Sequence, residues 1–159
     1  MLKYKIIPAC EGFKKLNMPK IEDKEFRNQL IGIHFDLLDE KEKYEKAVEK
    51  LRAVYIVPLQ DRIDEVQKLA RQYEGESDPE KRIRLRDQIN SFTDVDEAQI
   101  AFQKALEKLN KEEVGVPTIS KKKFREEYAK QDYNPEVVEN LHPLLADKPA
   151  AKEETINPF

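Results

Sequence analysis

Glycine, cysteine and tryptophan are scarce in this chain, at four, one and none of 159 residues. Four glycines are too few for a turn-rich β-barrel or for a glycine-rich phosphate loop. The single Cys10 excludes an internal disulfide framework and fits a reducing compartment. No apolar run approaches the roughly 18 residues that cross a bilayer, so no membrane span is expected. The opening MLKYKIIPACEGF carries lysines and a short apolar patch, but Pro8 and Glu11 interrupt any signal-peptide core. Neither sign of charge dominates. With 29 basic and 32 acidic residues the net charge is −3, leaving no global field to draw in nucleic acid or a membrane surface.

What is abundant is charge of both signs, 38% of residues against roughly 25% in an average domain. Leu, Ile, Val and Phe still number 42, about 26% of the chain, above the roughly 20% below which chains stay disordered. The combination predicts long helices with narrow apolar stripes and broad charged faces. From Phe26 the apolar positions fall at 26, 30, 33, 37, 44, 48, 51, 55, 59, 63, 66, 70 and 73, with every gap 3, 4 or 7. Pro58 must kink or break that run, because it lacks an N–H and crowds the preceding turn. Helices are therefore expected at 21–56 and 59–74, with Gly75 as a left-handed cap and Ser77 or Asp78 capping a helix that starts at Pro79. Thr93 or Asp94, the latter with Glu97 three residues on, is expected to cap a helix reaching about Glu113. At the ends, residues 2–6 read as an edge strand and Pro8 as the start of a helix to Leu16. Val114–Ile119 reads as extended, Ser120 as the cap of a helix at 121–131, and Asn134-Pro135 as the start of a short helix ending near Leu141.

Folding the long helices back about Gly75 places 55 opposite about 98 and 40 opposite about 113. The apolar residues Ile21, Phe26, Leu30, Ile31, Ile33, Phe35, Leu37 and Leu38 then need cover from the N- and C-terminal segments. The expected fold is mainly α: a long antiparallel helical hairpin, a coiled-coil-like arm over 41–113 with its tip near 75–79. It stands on a small base formed by 1–40 and 114–146, within one elongated domain, and residues 147–159 form a tail.

The chemistry-bearing residues point away from catalysis. His34 lies near Asp36 and Asp39, but no HExxH or paired Cys/His spacing exists, so a satisfied core histidine is expected. Ser77, Ser91 and Ser120 sit at helix boundaries, where capping explains them. No catalytic, cofactor-binding or metal-binding residue is predicted, and the chain reads as a non-enzyme. The cations Lys81, Arg82, Arg84 and Arg86 near the tip, and Lys121, Lys122, Lys123 and Arg125 further on, could meet phosphate or an acidic partner. No stacking aromatics interleave them, so nucleic acid ranks third among partners. In a two-helix arm each helix has one neighbour, which leaves Val54, Ile56, Val57, Leu85 and Ile100 half-covered. With Arg82 and Arg86 these form the candidate surface for a protein partner or for self-association. The final Asn157-Pro158-Phe159 is a candidate docking tail.

One resemblance is carried by Ala9-Cys10-Glu11-Gly12-Phe13-Lys14-Lys15-Leu16, the Pro19-Lys20 entry and the long charged helix to Tyr55. A helix of the type Asp96–Leu109, an extended Val114–Ile119 and a helical ending like Asn134–Leu145 complete it. In these features the chain resembles small coiled-coil hairpin proteins of tailed bacteriophages. The resemblance implies a phage gene product of unknown function, often encoded among virion genes, and it supplies no catalytic residue; the expected location is the host cytoplasm or the virion. The expected role is protein–protein interaction, as a minor virion component or assembly factor. The alternative is an inhibitor of a host defence enzyme, and an accessory nucleic-acid binder comes third.

Overall fold

The computed structural model describes residues 1–147, and seven α-helices dominate them: α1 (Ile6–Lys15), α2 (Lys24–Tyr55), α3 (Gln60–Gly75), α4 (Pro79–Asn90), α5 (Thr93–Asn110), α6 (Lys121–Tyr128) and α7 (Pro135–Leu141). Two short strands, β1 (Ile119–Ser120) and β2 (Leu145–Ala146), pair in parallel with Ile119 beside Leu145. The chain is mainly α. It divides into two compact units, one from Met1–Tyr44 with Asn110 onward, the other Glu45–Leu109.

In the first unit, α1 contributes Ile6, Ala9, Cys10 and Phe13 to a core shared with Phe26, Leu30, Ile33 and Leu37 of α2. Phe124 and Tyr128 of α6 and Val137 and Leu141 of α7 complete it. α1 approaches α7 closely because Gly12 has no side chain. A Cβ there would stand 3.0 Å from the Asn140 Cβ and from Leu141 Cγ and Cδ2. The predicted edge strand at residues 2–6 is a single antiparallel bridge, Leu2 to Glu113, followed by a 3-10 turn over Lys3–Lys5. α1 starts at Ile6 rather than Pro8. Pro8 falls in the first turn, where backbone N–H groups have no intrahelical acceptor and none is lost.

The expectation that the whole apolar face of 21–40 is covered fails for three residues. Phe35 is 65% exposed, and Ile31 and Leu38 are each 37% exposed. The terminal segments cover the side of α2 carrying 26, 30, 33 and 37, and among the described residues the opposite side is not part of that core.

The second unit is the hairpin. Arg62 of α3 bonds Asp94 of α5, and Arg82 of α4 lies over the ring of Tyr73 of α3. With 62 opposite 94 and 73 opposite 82, the two arms run antiparallel, centred on the 76–78 loop. Gly75 is the last helical residue and takes no left-handed conformation; the chain instead turns at Glu76, with φ −91° and ψ 126°. Asp78 caps α4 by accepting the Glu80 N–H at 3.2 Å, with Pro79 behind it. Pro58 ends α2 in a 3-10 turn, Val57–Leu59, before α3 resumes the helix. Neither Thr93 nor Asp94 stands at the cap position, since the Asp96 N–H bonds Phe92 O and leaves Phe92 as the residue before the helix. α5 begins at Thr93, and the carboxylate of Asp94 is held by Arg62. α5 also stops at Asn110, α6 at Tyr128, and Val114 is tied to Met1 through its N–H at 2.8 Å.

Two glycine substitutions should behave oppositely in chemical denaturation. Gly12→Ala should lose about 1–3 kcal/mol by overpacking, whereas Gly75→Ala, facing open space, should gain about 0.4–1 kcal/mol. Leu37→Ala, at a fully buried site, should cost about 2–5 kcal/mol.

Candidate interaction surface

The hairpin unit is interrupted on both arms. On one, the Ile56 N–H still reaches Arg52 O at 2.9 Å, but the Leu59 N–H bonds Ile56 O, so the helical repeat is lost across Pro58. On the other, α4 closes at Ser91, whose Oγ donates to Gln88 O at 2.6 Å, and α5 restarts two residues later. Arg62 clasps the second interruption. Its guanidinium makes a two-pronged contact with Asp94, at 2.7 and 3.0 Å, and lies 4.7 Å from the Phe92 ring centroid. The pair holds the Asp94 carboxyl below its usual range and raises Arg62 above its own. Beneath it Ile63, Phe92 and Val95 form a small core, with Ile56, Leu59, Val66 and Leu69 packed against it.

Where the arms are interrupted, a groove of about 870 Å³ opens, lined by Ile56, Ile63, Ile100 and Phe102. Charges of both signs, Arg52 and Lys104 with Asp96 and Glu107, also line it. Apolar walls with mixed charges suit a protein surface better than a polyanion. Of the residues named from sequence, Ile56 and Ile100 meet in this groove. Ile56 is half-buried, and Ile100 is 55% exposed. Val54, at 66% exposed, and Val57 stand in solvent beside the bend without lining the groove. Leu85 is half-buried and lines a separate shallow groove at the hairpin end with Lys81, Arg84 and Gln72. Arg82 is occupied by Tyr73, 4.4 Å from its ring centroid, and Arg86 lies 3.9 Å from Asp87. The four tip cations therefore do not act as one group. Asn157, Pro158 and Phe159 lie outside the described residues.

No family model, curated protein or solved structure matches this chain. Among the described residues no helix is long and apolar enough to cross a membrane, and no cluster of three metal-ligating side chains occurs.

Sequence reasoning missed two features. The first is the exposed set Ile31, Phe35 and Leu38, visible in retrospect as a second stripe of spacing four and three beside 26, 30, 33 and 37. The second is Glu127 of α6, a buried carboxylate that accepts the N–H groups of Glu22 and Asp23, at 3.1 and 3.2 Å, and the Lys130 ammonium at 3.2 Å. Burial pushes its pKa up, but the two N–H bonds and Lys130 outweigh that and hold it below its ordinary value. Asp23 is lowered likewise by Lys123 and by the Phe26 N–H. His34 is not the satisfied core histidine expected. It is half-buried and stacks on Phe13 with ring centroids 5.0 Å apart, and its buried Nε2 meets no partner among the described residues. Burial, then the nearby Lys14 charge, lowers its pKa.

These directions give a two-step acid response. A lowered histidine contributes stability that is present above its unfolded pKa of 6.5 and declines as pH falls through that value toward the folded one. Lowered carboxylates contribute stability that is present above about pH 4.5 and lost below it. Urea midpoints from pH 8 to 3 should fall in both windows. His34→Gln should remove the upper step, and Glu127→Gln should shrink the lower one.

Proposed function

We propose that this chain is a non-enzymatic bacteriophage protein that acts by binding other proteins, as a minor virion component or an assembly factor. The observation that carries the reading is the apolar surface left open on the hairpin unit: Val54, Val57 and Ile100 in solvent, and a groove reaching in to Ile56 and Ile63. An antiparallel pair of helices needs only its seam for stability, so apolar residues off the seam have no structural partner and suit an interface. The resemblance to phage hairpin proteins, carried by Ala9–Leu16, Pro19-Lys20 and the charged helix to Tyr55, supports the same class of role.

The test has two arms. Mass spectrometry of purified particles and of assembly intermediates should find this chain with a fixed structural partner. Val54→Asp combined with Ile100→Asp should weaken capture of that partner by about tenfold or more in a protein with unchanged far-UV circular dichroism. Capture that survives those changes moves the binding site off the hairpin. Absence from particles and intermediates, with one host enzyme bound stoichiometrically instead, favours the inhibitor.

A further inference from the structure

Along α2, on the side opposite the core, the residues Lys24, Asn28, Ile31, Phe35, Leu38 and Glu42 recur at spacings of four and three. All six are exposed, Phe35 most plainly at 65%. That is the spacing of a coiled-coil seam, about 27 Å long at 1.5 Å per residue, and among the described residues none of the six belongs to the core of the first unit. Gly32 stands beside it with open space where a Cβ would be.

We propose that this face of α2 pairs antiparallel with the same face of a second copy of the chain. The order of residue types singles out that occupant. Under a two-fold axis at residue 33, Lys24 meets Glu42 of the partner subunit, Asn28 meets Leu38 of the partner subunit, and Ile31 meets Phe35 of the partner subunit. The same three layers then repeat in reverse. Both ends carry opposite charges and the middle is apolar. A parallel pair would set lysine on lysine and glutamate on glutamate, which repel. A shift of one heptad in either direction sets Lys24 on Phe35 or Glu42 on Ile31, a charged group against an apolar one. Lys24 adds a further reason. It is the first residue of α2, where the helix dipole disfavours a cation, and an incoming carboxylate offsets that cost. The seam is shorter and less apolar than a permanent dimer interface, so association in the range of about 10–100 µM is expected. This surface is separate from the hairpin groove, and the inference does not rest on the reading above.

Sedimentation velocity of the full chain between about 5 and 500 µM tests it, since that range brackets the expected affinity. The native chain should shift from monomer to dimer. Phe35→Glu should abolish the shift with unchanged circular dichroism, as expected for an exposed residue. Lys24→Glu and Glu42→Lys should each weaken dimerisation by about three- to tenfold, and the double exchange should restore most of the loss. Val54→Asp should leave the dimer intact. A chain that stays monomeric throughout, a dimer that survives Phe35→Glu, or a double exchange as weak as the singles would each overturn the proposal.

Discussion

Two carboxylates at the start of α2, Asp23 and Glu127, set the alignment in which the first unit packs. α2 is too long and too charged to owe its stability to burial along its whole length, so its beginning must be secured. The first N–H groups of a helix have no intrahelical acceptor. Here Asp23 takes the Phe26 N–H at 2.9 Å, and Glu127 takes the N–H groups of Glu22 and Asp23 just before the helix. Lys123 and Lys130 then bind Asp23 and Glu127 at 2.8 and 3.2 Å, tying α6 to the same point. The link joins residues more than a hundred positions apart, so it forms only once both ends of the chain have come together.

Around that point the ends are fastened by pairings of several kinds. Met1 and Val114 exchange backbone bonds, Asn17 and Gln131 clip each other through N–H and amide groups, and Lys15 pairs with Glu136. Each exposed ion pair contributes little alone. The apolar core from α1, α2, α6 and α7 supplies the main stabilisation, and the polar pairings select one alignment of the segments around it. Gly12 belongs to that selection, because a Cβ there would press on Asn140 and Leu141 where α1 meets α7.

The helices were legible in the sequence because spacing of three and four is a property of the helix itself. Residues 26, 30, 33 and 37 therefore read directly as one buried face, and Pro58 read directly as an interruption. The turn at Gly75 was misread because a glycine beside a helix end usually takes the left-handed conformation, whereas here Glu76 and Asp78 make the turn with their own side chains. The width of the buried face was overestimated at Ile31, Phe35 and Leu38, since an apolar residue announces a contact without saying whether the same chain supplies it. Val54, Val57 and Ile100 were recognisable as off-seam residues, whereas Ile56 packs against the small core. Their division between solvent and a groove was not recognisable, because it follows from the breaks at Pro58 and Ser91, whose geometry is three-dimensional. The roles of Arg62 and Glu127 were hidden among dozens of similar charges, with no local pattern to distinguish them.

The distribution of burial within the hairpin unit sets a hierarchy of opening. α4 contains no buried residue, and α3 contains one, Ile63, close to its start. The small core and the Arg62 clasp lie at the bend, and beyond them the arms are joined by half-buried side chains and the stacking of Arg82 on Tyr73. Sub-global opening needs only the free energy of the contacts it breaks. The end of the hairpin can therefore fray and re-form as a unit while the bend stays closed. Amide protons in α4 then exchange with solvent through that local event, so their protection measures the strength of the zipper between Arg62 and the tip and not the stability of the whole protein.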